Sequence, residues 1–296
     1  NWKAFKRIVW IHHEYNNWIM IKNKLDLIFK SYDVRGIYQD EITNEIASKI
    51  GYAFSEFVKD DEILIGHDGR LSNLEMLNSV VSGITANNKK CIYVGLVPTD
   101  VVYSLSGLLQ KPGIIITASH NPKEYTGLKF CNSGAEPIGE TSGLKVIKNR
   151  SLEIEDIEIL ENQIKKSDVL SLYFEHLQKL INPNSISKNK RFGVDGGNGA
   201  IGSVFASLSK VYSFNYESLY LEIDGNFPNH PADPSDEKNL EDLKRIVLSK
   251  NLDFGVAFDG DADRAVFIDD RGRLITGSMM TALISENLSE EKENLK

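Results

Sequence analysis

The chain has 296 residues, 41% of them hydrophobic and 26% charged, a length and composition that suit two packed domains better than one. Forty-two acidic residues against 34 basic ones leave a net charge of −8, and no basic block is present to neutralise a run of phosphates, which excludes nucleic acid as a partner. Cys91 and Cys131 are too few for a disulfide framework or a four-ligand zinc site and fit a reducing cytoplasm. No apolar run reaches the roughly 18 residues that cross a bilayer, so no membrane partner is expected.

Residues 1–24 hold all three tryptophans (Trp2, Trp10, Trp18) and the pair His12-His13. They lack the charged start, apolar centre and small cleavage residues of a secretory signal. Tryptophans eight apart share no tight helical face, so the segment reads as an atypical N-terminal extension, not a membrane-surface helix, and Met20 is a sensible start. Apolar residues at threes and fours from Thr43 to Phe57 predict an amphipathic helix. A strand at Glu62–Gly66 leads into His67-Asp68-Gly69-Arg70, read as a structural loop, and Ser72 is placed to cap a helix running to Asn87. Next come a strand at Lys90–Val94, a helix at Asp100–Leu109 and the β-branched strand Gly113–Thr117, the last apolar enough to be buried on both faces.

The acidic stretch Ser151–Ser167, without glycine or proline, reads as helical material at a domain junction that continues through Leu170–Ile181. A second unit starts with the strand Arg191–Val194, turns through a glycine-rich loop, passes a Pro/Asn/Asp-rich loop at 224–236 and reaches the strand Phe254–Phe258. The strand Ala265–Asp269 and the residues beyond it read as an incomplete third unit. The expected fold is therefore α/β, with successive domains each carrying a mixed, mainly parallel sheet flanked by helices. The expected limits are 1–24 for the extension, 25–160 and 161–264 for two domains, and 265–296 for the start of a third.

Asp259-Gly260-Asp261-Ala262-Asp263-Arg264 places three carboxylates at alternate positions directly after an apolar strand. Alternate side chains lean the same way, so the three charges converge, and a hard divalent cation, Mg²⁺ first, is the simplest neutraliser. An EF-hand is excluded because Arg264 and Asp270 stand where glycine and glutamate are required, and an acidic surface turn would not need apolar strands on both sides. Arg264 beside three acids points to an approaching phosphate. Thr117-Ala118-Ser119-His120-Asn121-Pro122, followed by Gly127-Leu128-Lys129, sets a hydroxyl, an imidazole and an amine at the carboxyl end of a buried strand, where a serine can accept and return a transferred group. The bland alternative there is an Asn-Pro turn with an incidental Ser-His, and no Gly-x-Ser-x-Gly elbow supports a serine hydrolase. Tyr32-Asp33-Val34-Arg35-Gly36 sets an arginine beside a flexible glycine. Gly197-Asn198-Gly199-Ala200-Ile201-Gly202, with Glu222 about twenty residues on, matches a dinucleotide fingerprint, but that reading leaves Ser119 and the aspartates idle.

Taken in order, Tyr-Asp-Val-Arg-Gly, Thr-Ala-Ser-His-Asn-Pro with Gly-Leu-Lys, Val-Asp-Gly-Gly-Asn-Gly-Ala and Asp-Gly-Asp-Ala-Asp-Arg resemble the α-D-phosphohexomutases, from about Phe29 to Gly277. The resemblance implies that Ser119 is a phosphoserine and that Mg²⁺ is bound by Asp259, Asp261, Asp263 and a phosphoserine oxygen. It further implies that Arg35, His120, Lys129 and Arg264 line the site, with Lys129 moving the proton. The implied reaction moves phosphate between C1 and C6 of a hexose phosphate through a hexose 1,6-bisphosphate. The family's chains continue into a sugar-reading third domain and a phosphate-clamping fourth, so this sequence is expected to be an N-terminal portion in which turnover is in question. A Mg²⁺-dependent sugar-phosphate phosphatase with Asp259 as nucleophile and a non-catalytic phosphosugar-binding remnant are the alternatives. Neither the sugar nor the oligomeric state is set by the sequence.

Overall fold

The structure, a computed structural model, describes residues 18–161 and 164–291. Residues 1–17, and with them Trp2 and Trp10, lie outside that range. The expected extension does not run to residue 24: residues 18–28 form helix α1, whose Ile21, Leu25 and Ile28, spaced by four and three, are buried in the first core.

The first unit contains strands β1 (Val34–Ile37), β2 (Glu62–His67), β3 (Lys90–Leu96), β4 (Gly113–Ile116), β5 (Tyr125–Asn132) and β6 (Glu136–Pro137). Their order is β1-β5-β4-β2-β3, with β6 on β5. β3, β2 and β4 are parallel, whereas β5 runs antiparallel to β4 and β1. Helices α2 (Asn44–Phe57), α3 (Asn73–Ala86), α4 (Thr99–Leu109) and α5 (Lys145–Glu153) connect and cover this sheet. The two-residue period of the strands sorts them: Ile63, Ile65, Ile114 and Ile116 face α2 and α3, while Leu64 and Ile115 face α4. Thr43 caps α2 by accepting the Ile46 N–H. Ser72 stands at the start of α3 but makes no cap, and its buried Oγ has no partner. α2 and α3 approach backbone to backbone, since a Cβ on Gly83 would lie 1.9 Å from the Ser48 carbonyl oxygen.

Helix was expected across Ser151–Ser167, but it stops with α5 at Glu153 and the described residues up to Lys165 are irregular. Ile157 and Ile164 pack on the first core, Leu160 N–H donates to Ser82 Oγ (3.0 Å), and Ser167 N–H donates to the Tyr93 carbonyl at the edge of β3 (2.7 Å). Partners on the first domain thus take up backbone groups that a helix would have paired internally.

The second unit begins with α6 (Leu170–Leu180) and holds β7 (Arg191–Asp195), α7 (Gly202–Tyr212), β8 (Asn215–Leu219), α8 (Glu241–Ser249), β9 (Phe254–Phe258), β10 (Ala265–Asp269), β11 (Leu274–Ile275) and α9 (Gly277–Glu291). The strand order is β8-β7-β9-β10-β11, parallel across the first three and antiparallel beyond β9. This corrects the boundary read at Arg264. Ala265–Asp269 opens no third unit but folds back on β9, Ala265 opposite Phe258 and Asp269 opposite Phe254, and buries Ile268 against Leu243 and Val247 of α8. Among the described residues, no helix is long and apolar enough to cross a membrane.

Candidate active site

Two loops, one from each sheet, meet at the domain seam. Ser119 follows β4, and the three aspartates form the tight β9–β10 hairpin. The seam is apolar around them: α4 residues Val101 and Leu105 share one core with Phe192, Val194 and Val256 of the second sheet.

Asp259 and Asp261 are fully buried, Asp263 is one-third exposed, and one oxygen from each lies within 4.8 Å of the others. Burial, and then the neighbouring Asp261 charge, push the Asp259 carboxyl up to about 7. For Asp261 burial acts the same way but loses to Lys129, whose charge and hydrogen bond, with one from Thr99, hold that carboxyl at about 2. Lys129 Nζ lies 2.8 Å from Asp261 Oδ2 and 2.5 Å from Asp263 Oδ2; burial disfavours its ammonium, and the two carboxylates more than restore it. Thr99, at the start of α4, donates from Oγ1 to Asp261 Oδ2 at 2.7 Å and from its N–H to the Asp261 carbonyl at 3.0 Å. Asp261 Oδ1 remains, buried and without a partner. Converging carboxylates, one orphaned oxygen and an adjacent hydroxyl make an oxygen-only donor set that fits a hard divalent cation.

Ser119 is 2% exposed and has φ of +51°, a left-handed conformation that costs an L-residue about 1–2 kcal/mol. Its Oγ donates to Asp259 Oδ2 at 2.6 Å and accepts from Arg264 Nη2 at 2.8 Å. His120 is not the serine's partner: its Nδ1 lies 3.5 Å from Oγ and is taken by Arg264 Nη2. Burial, and then the Arg264 charge, lower the His120 pKa, so the ring is neutral and Nδ1 is its accepting nitrogen. Arg35, on β1 opposite Gly127 of β5, is held at 2.5 Å by both Asp33 Oδ2 and Asn121 Oδ1. Ser119, Lys129, Arg35, Arg264, Thr99 and Tyr103 line one cavity of about 800 Å³.

Ser119, Lys129, Arg35, Arg264 and the three aspartates therefore gather at the seam, and His120 joins them through Arg264 while lining a neighbouring cavity. Thr99 was missed, because nothing local marks a threonine that meets an aspartate 162 positions later, and Asp33 and Asn121 stood inside the motifs without a role until both were found holding Arg35. The glycine fingerprint has another use. A Cβ on Gly199 would meet the Gly260 backbone at 2.8 Å and one on Gly202 the Leu221 carbonyl at 2.0 Å, while Ala200 N–H donates to the Gly260 carbonyl. Gly199 thus brings backbone against backbone under the aspartate hairpin and Gly202 does so against Leu221, where a dinucleotide would need open space.

The fold and site define a two-domain α/β protein that presents a buried serine to a carboxylate triad across its domain seam. Residues 26–158 match the family model "Phosphoglucomutase/phosphomannomutase, alpha/beta/alpha domain I", and residues 171–272 match the corresponding domain II. The chain belongs to this phosphoglucomutase/phosphomannomutase family, the α-D-phosphohexomutases. It is 34% identical over 265 residues to a phosphomannomutase/phosphoglucomutase of Pseudomonas aeruginosa, covering 88% of this chain and 56% of that protein. It is 30% identical over 270 residues to a phosphomannomutase of Methanocaldococcus jannaschii, covering 91% and 60%. Its structure resembles the crystal structure of a phosphoglucomutase/phosphomannomutase family protein from Burkholderia thailandensis with a TM-score of 0.79 at 30% identity, covering 89% of this chain and 59% of that one. The chain thus spans a little over half the length of these relatives.

Proposed function

We propose that the protein transfers a phosphoryl group between C1 and C6 of a hexose phosphate, with Ser119 carrying the group, hexose 1,6-bisphosphate as the intermediate, and Mg²⁺ at Asp259, Asp261, Asp263 and a phosphoserine oxygen. The observation that carries this reading is the Ser119 hydroxyl itself, bonded on one side to a carboxylate and on the other to an arginine. The names of the relatives support the substrate class.

When hexose 1,6-bisphosphate loads the serine, Oγ forms the new bond to phosphorus and its proton passes along the existing hydrogen bond to Asp259 Oδ2. The bond from phosphorus to the sugar oxygen breaks, and that oxygen takes a proton from the ammonium of Lys129, which lines the same cavity. Donation from the phosphoserine to the free hydroxyl of a hexose monophosphate runs these transfers backwards and forms the bisphosphate, which turns round and reloads the serine from its other end. Arg264 and Arg35 orient the phosphoryl oxygens, and His120, as a neutral ring, fixes Arg264. Bound Mg²⁺ would neutralise the triad and draw charge from the transferring group.

The phosphatase reading fares worse, because its nucleophile would be Asp259. Asp259 is fully buried, with Oδ1 accepting from Arg264 N and Oδ2 from Ser119 and Arg264. Cys91 and Cys131, both unpaired, agree with a cytoplasmic location. The test is intact mass before and after incubation with glucose 1,6-bisphosphate and Mg²⁺. One added phosphoryl group on the parent and none on Ser119→Ala is expected. Release of inorganic phosphate with no protein-bound group, or equal gain by the variant, would overturn the reading.

A further inference from the structure

The loop between β2 and α3 contains the most enclosed cation of the site. The Arg70 side chain is 0% exposed, and its Nε lies 3.3 Å from Asp68 Oδ2, itself 1% exposed. A guanidinium carries five N–H donors in a rigid fork, and here each one is used. Nη1 donates to the carbonyls of Pro122 (2.8 Å) and Tyr125 (3.0 Å), Nη2 to those of Ser119 (2.7 Å) and Asn121 (2.8 Å), and Nε to Asp68. Four carbonyls of the segment that carries the reactive serine thus converge on one side chain from another loop.

Asp68 carries the arrangement further. Its Oδ2 accepts from Thr117 Oγ1 at 2.7 Å, and that hydroxyl oxygen accepts the Ser119 N–H at 2.8 Å. The backbone of Ser119 is therefore held at both ends, its N–H by Thr117 and its carbonyl by Arg70. The second domain closes over the set, with the Phe227 ring 5.5 Å from the guanidinium carbon and Gly260 set against the Ser119 carbonyl.

We propose that Arg70 is a positioning residue for phosphoryl transfer: with Asp68 and Thr117 it locks Ser119 into its left-handed backbone conformation and so aims Oγ at the seam. The proposal rests on the reading of Ser119 as the phosphoryl carrier. Arg70 does not line the cavity of Ser119 and Lys129, so it acts through the serine's backbone. A lysine keeps the charge facing Asp68 but offers three donors and no fork, which cannot hold four carbonyls.

The experiment is single-turnover loading of the 296-residue chain from glucose 1,6-bisphosphate with Mg²⁺, followed by intact mass over a range of bisphosphate concentrations. Folding is checked by circular dichroism. Arg70→Lys is expected to fold, to reach one phosphoryl group per chain, and to load about 100-fold more slowly at saturation, the order of loss that a misplaced reacting group brings. The half-saturating concentration is expected to stay within about threefold, since bound ligand still meets Arg35, Lys129 and Arg264. Thr117→Val, which removes the acceptor of the Ser119 N–H and leaves Arg70 in place, is expected to show the same split. Saturating rates within threefold of the parent in both variants, or loss of the fold in both, would overturn the proposal. A parent that does not load, or a Ser119→Ala chain that does, would instead overturn the reading of Ser119.

Discussion

Gly260 sets how closely the two halves of the site meet. A Cβ there would lie 2.5 Å from the Ser119 carbonyl oxygen, and that oxygen is already fixed by Arg70 Nη2, so neither side can retreat cheaply. Gly260→Ala is expected to cost about 1–3 kcal/mol by overpacking and to abolish serine loading, read as a lower melting temperature and an unchanged mass after incubation with bisphosphate. Gly277→Ala, with nothing within 4 Å of its new methyl, is the control and should match the parent in both. Parent-like loading by Gly260→Ala would sink the argument. The composition of Asp259–Arg264 made the carboxylate trio visible in the sequence, because three like charges at alternate positions need an explanation. The contact of the glycine between the first two with a carbonyl 141 residues earlier was not legible.

The elements that carry chemistry were legible where local pattern decides them, and obscure where a distant partner does. The uniformly apolar β4 and the periodic α2 follow from local spacing, and so does the placing of Ser119 at a strand's end. That β10 returns along β9 was hidden because its two faces meet different cores, Phe267 at the seam and Ile268 under α8. The loop at 224–236 likewise gains its order from outside itself. His230 Nδ1 lies 2.8 Å from the Pro231 carbonyl and Nε2 lies 3.1 Å from Asp195 Oδ2, two acceptors that favour the imidazolium over the neutral ring. Burial opposes that charge, but the bonds to Asp195 and Pro231 outweigh it and raise the pKa; the Tyr220 ring packs edge-on, its hydroxyl turned to Asp242. A raised folded pKa gives a stabilisation fully present below the unfolded value of about 6.5 and lost as pH rises through the folded value. Between pH 6 and 9 the parent's melting temperature is expected to fall by a few degrees more than that of His230→Asn. Parallel pH profiles would contradict the assignment.

For the molecule as a whole, the seam is itself a core. Leu105 of α4 is fully buried in a cluster shared with Phe192, Val194 and Val256 of the second sheet, and Tyr173 of α6 donates to Asp100 Oδ2 at 2.7 Å beside it. Two domains joined through common apolar contacts should melt together. Leu105→Ala is expected to cost about 2–5 kcal/mol and to lower one calorimetric transition without splitting it. Two resolved transitions in the parent would mean that each half stands alone.

Ser119 and Lys129 sit on one side of this seam and the aspartates on the other, so whatever occupies the site touches both halves. By mass action such a ligand fastens the halves together, adding about 2.7 kcal/mol at a hundredfold excess over its dissociation constant. Cohesion becomes a gauge of occupancy: glucose, mannose and glucosamine phosphates can be ranked by how strongly each resists heat with the protein, before any product has formed.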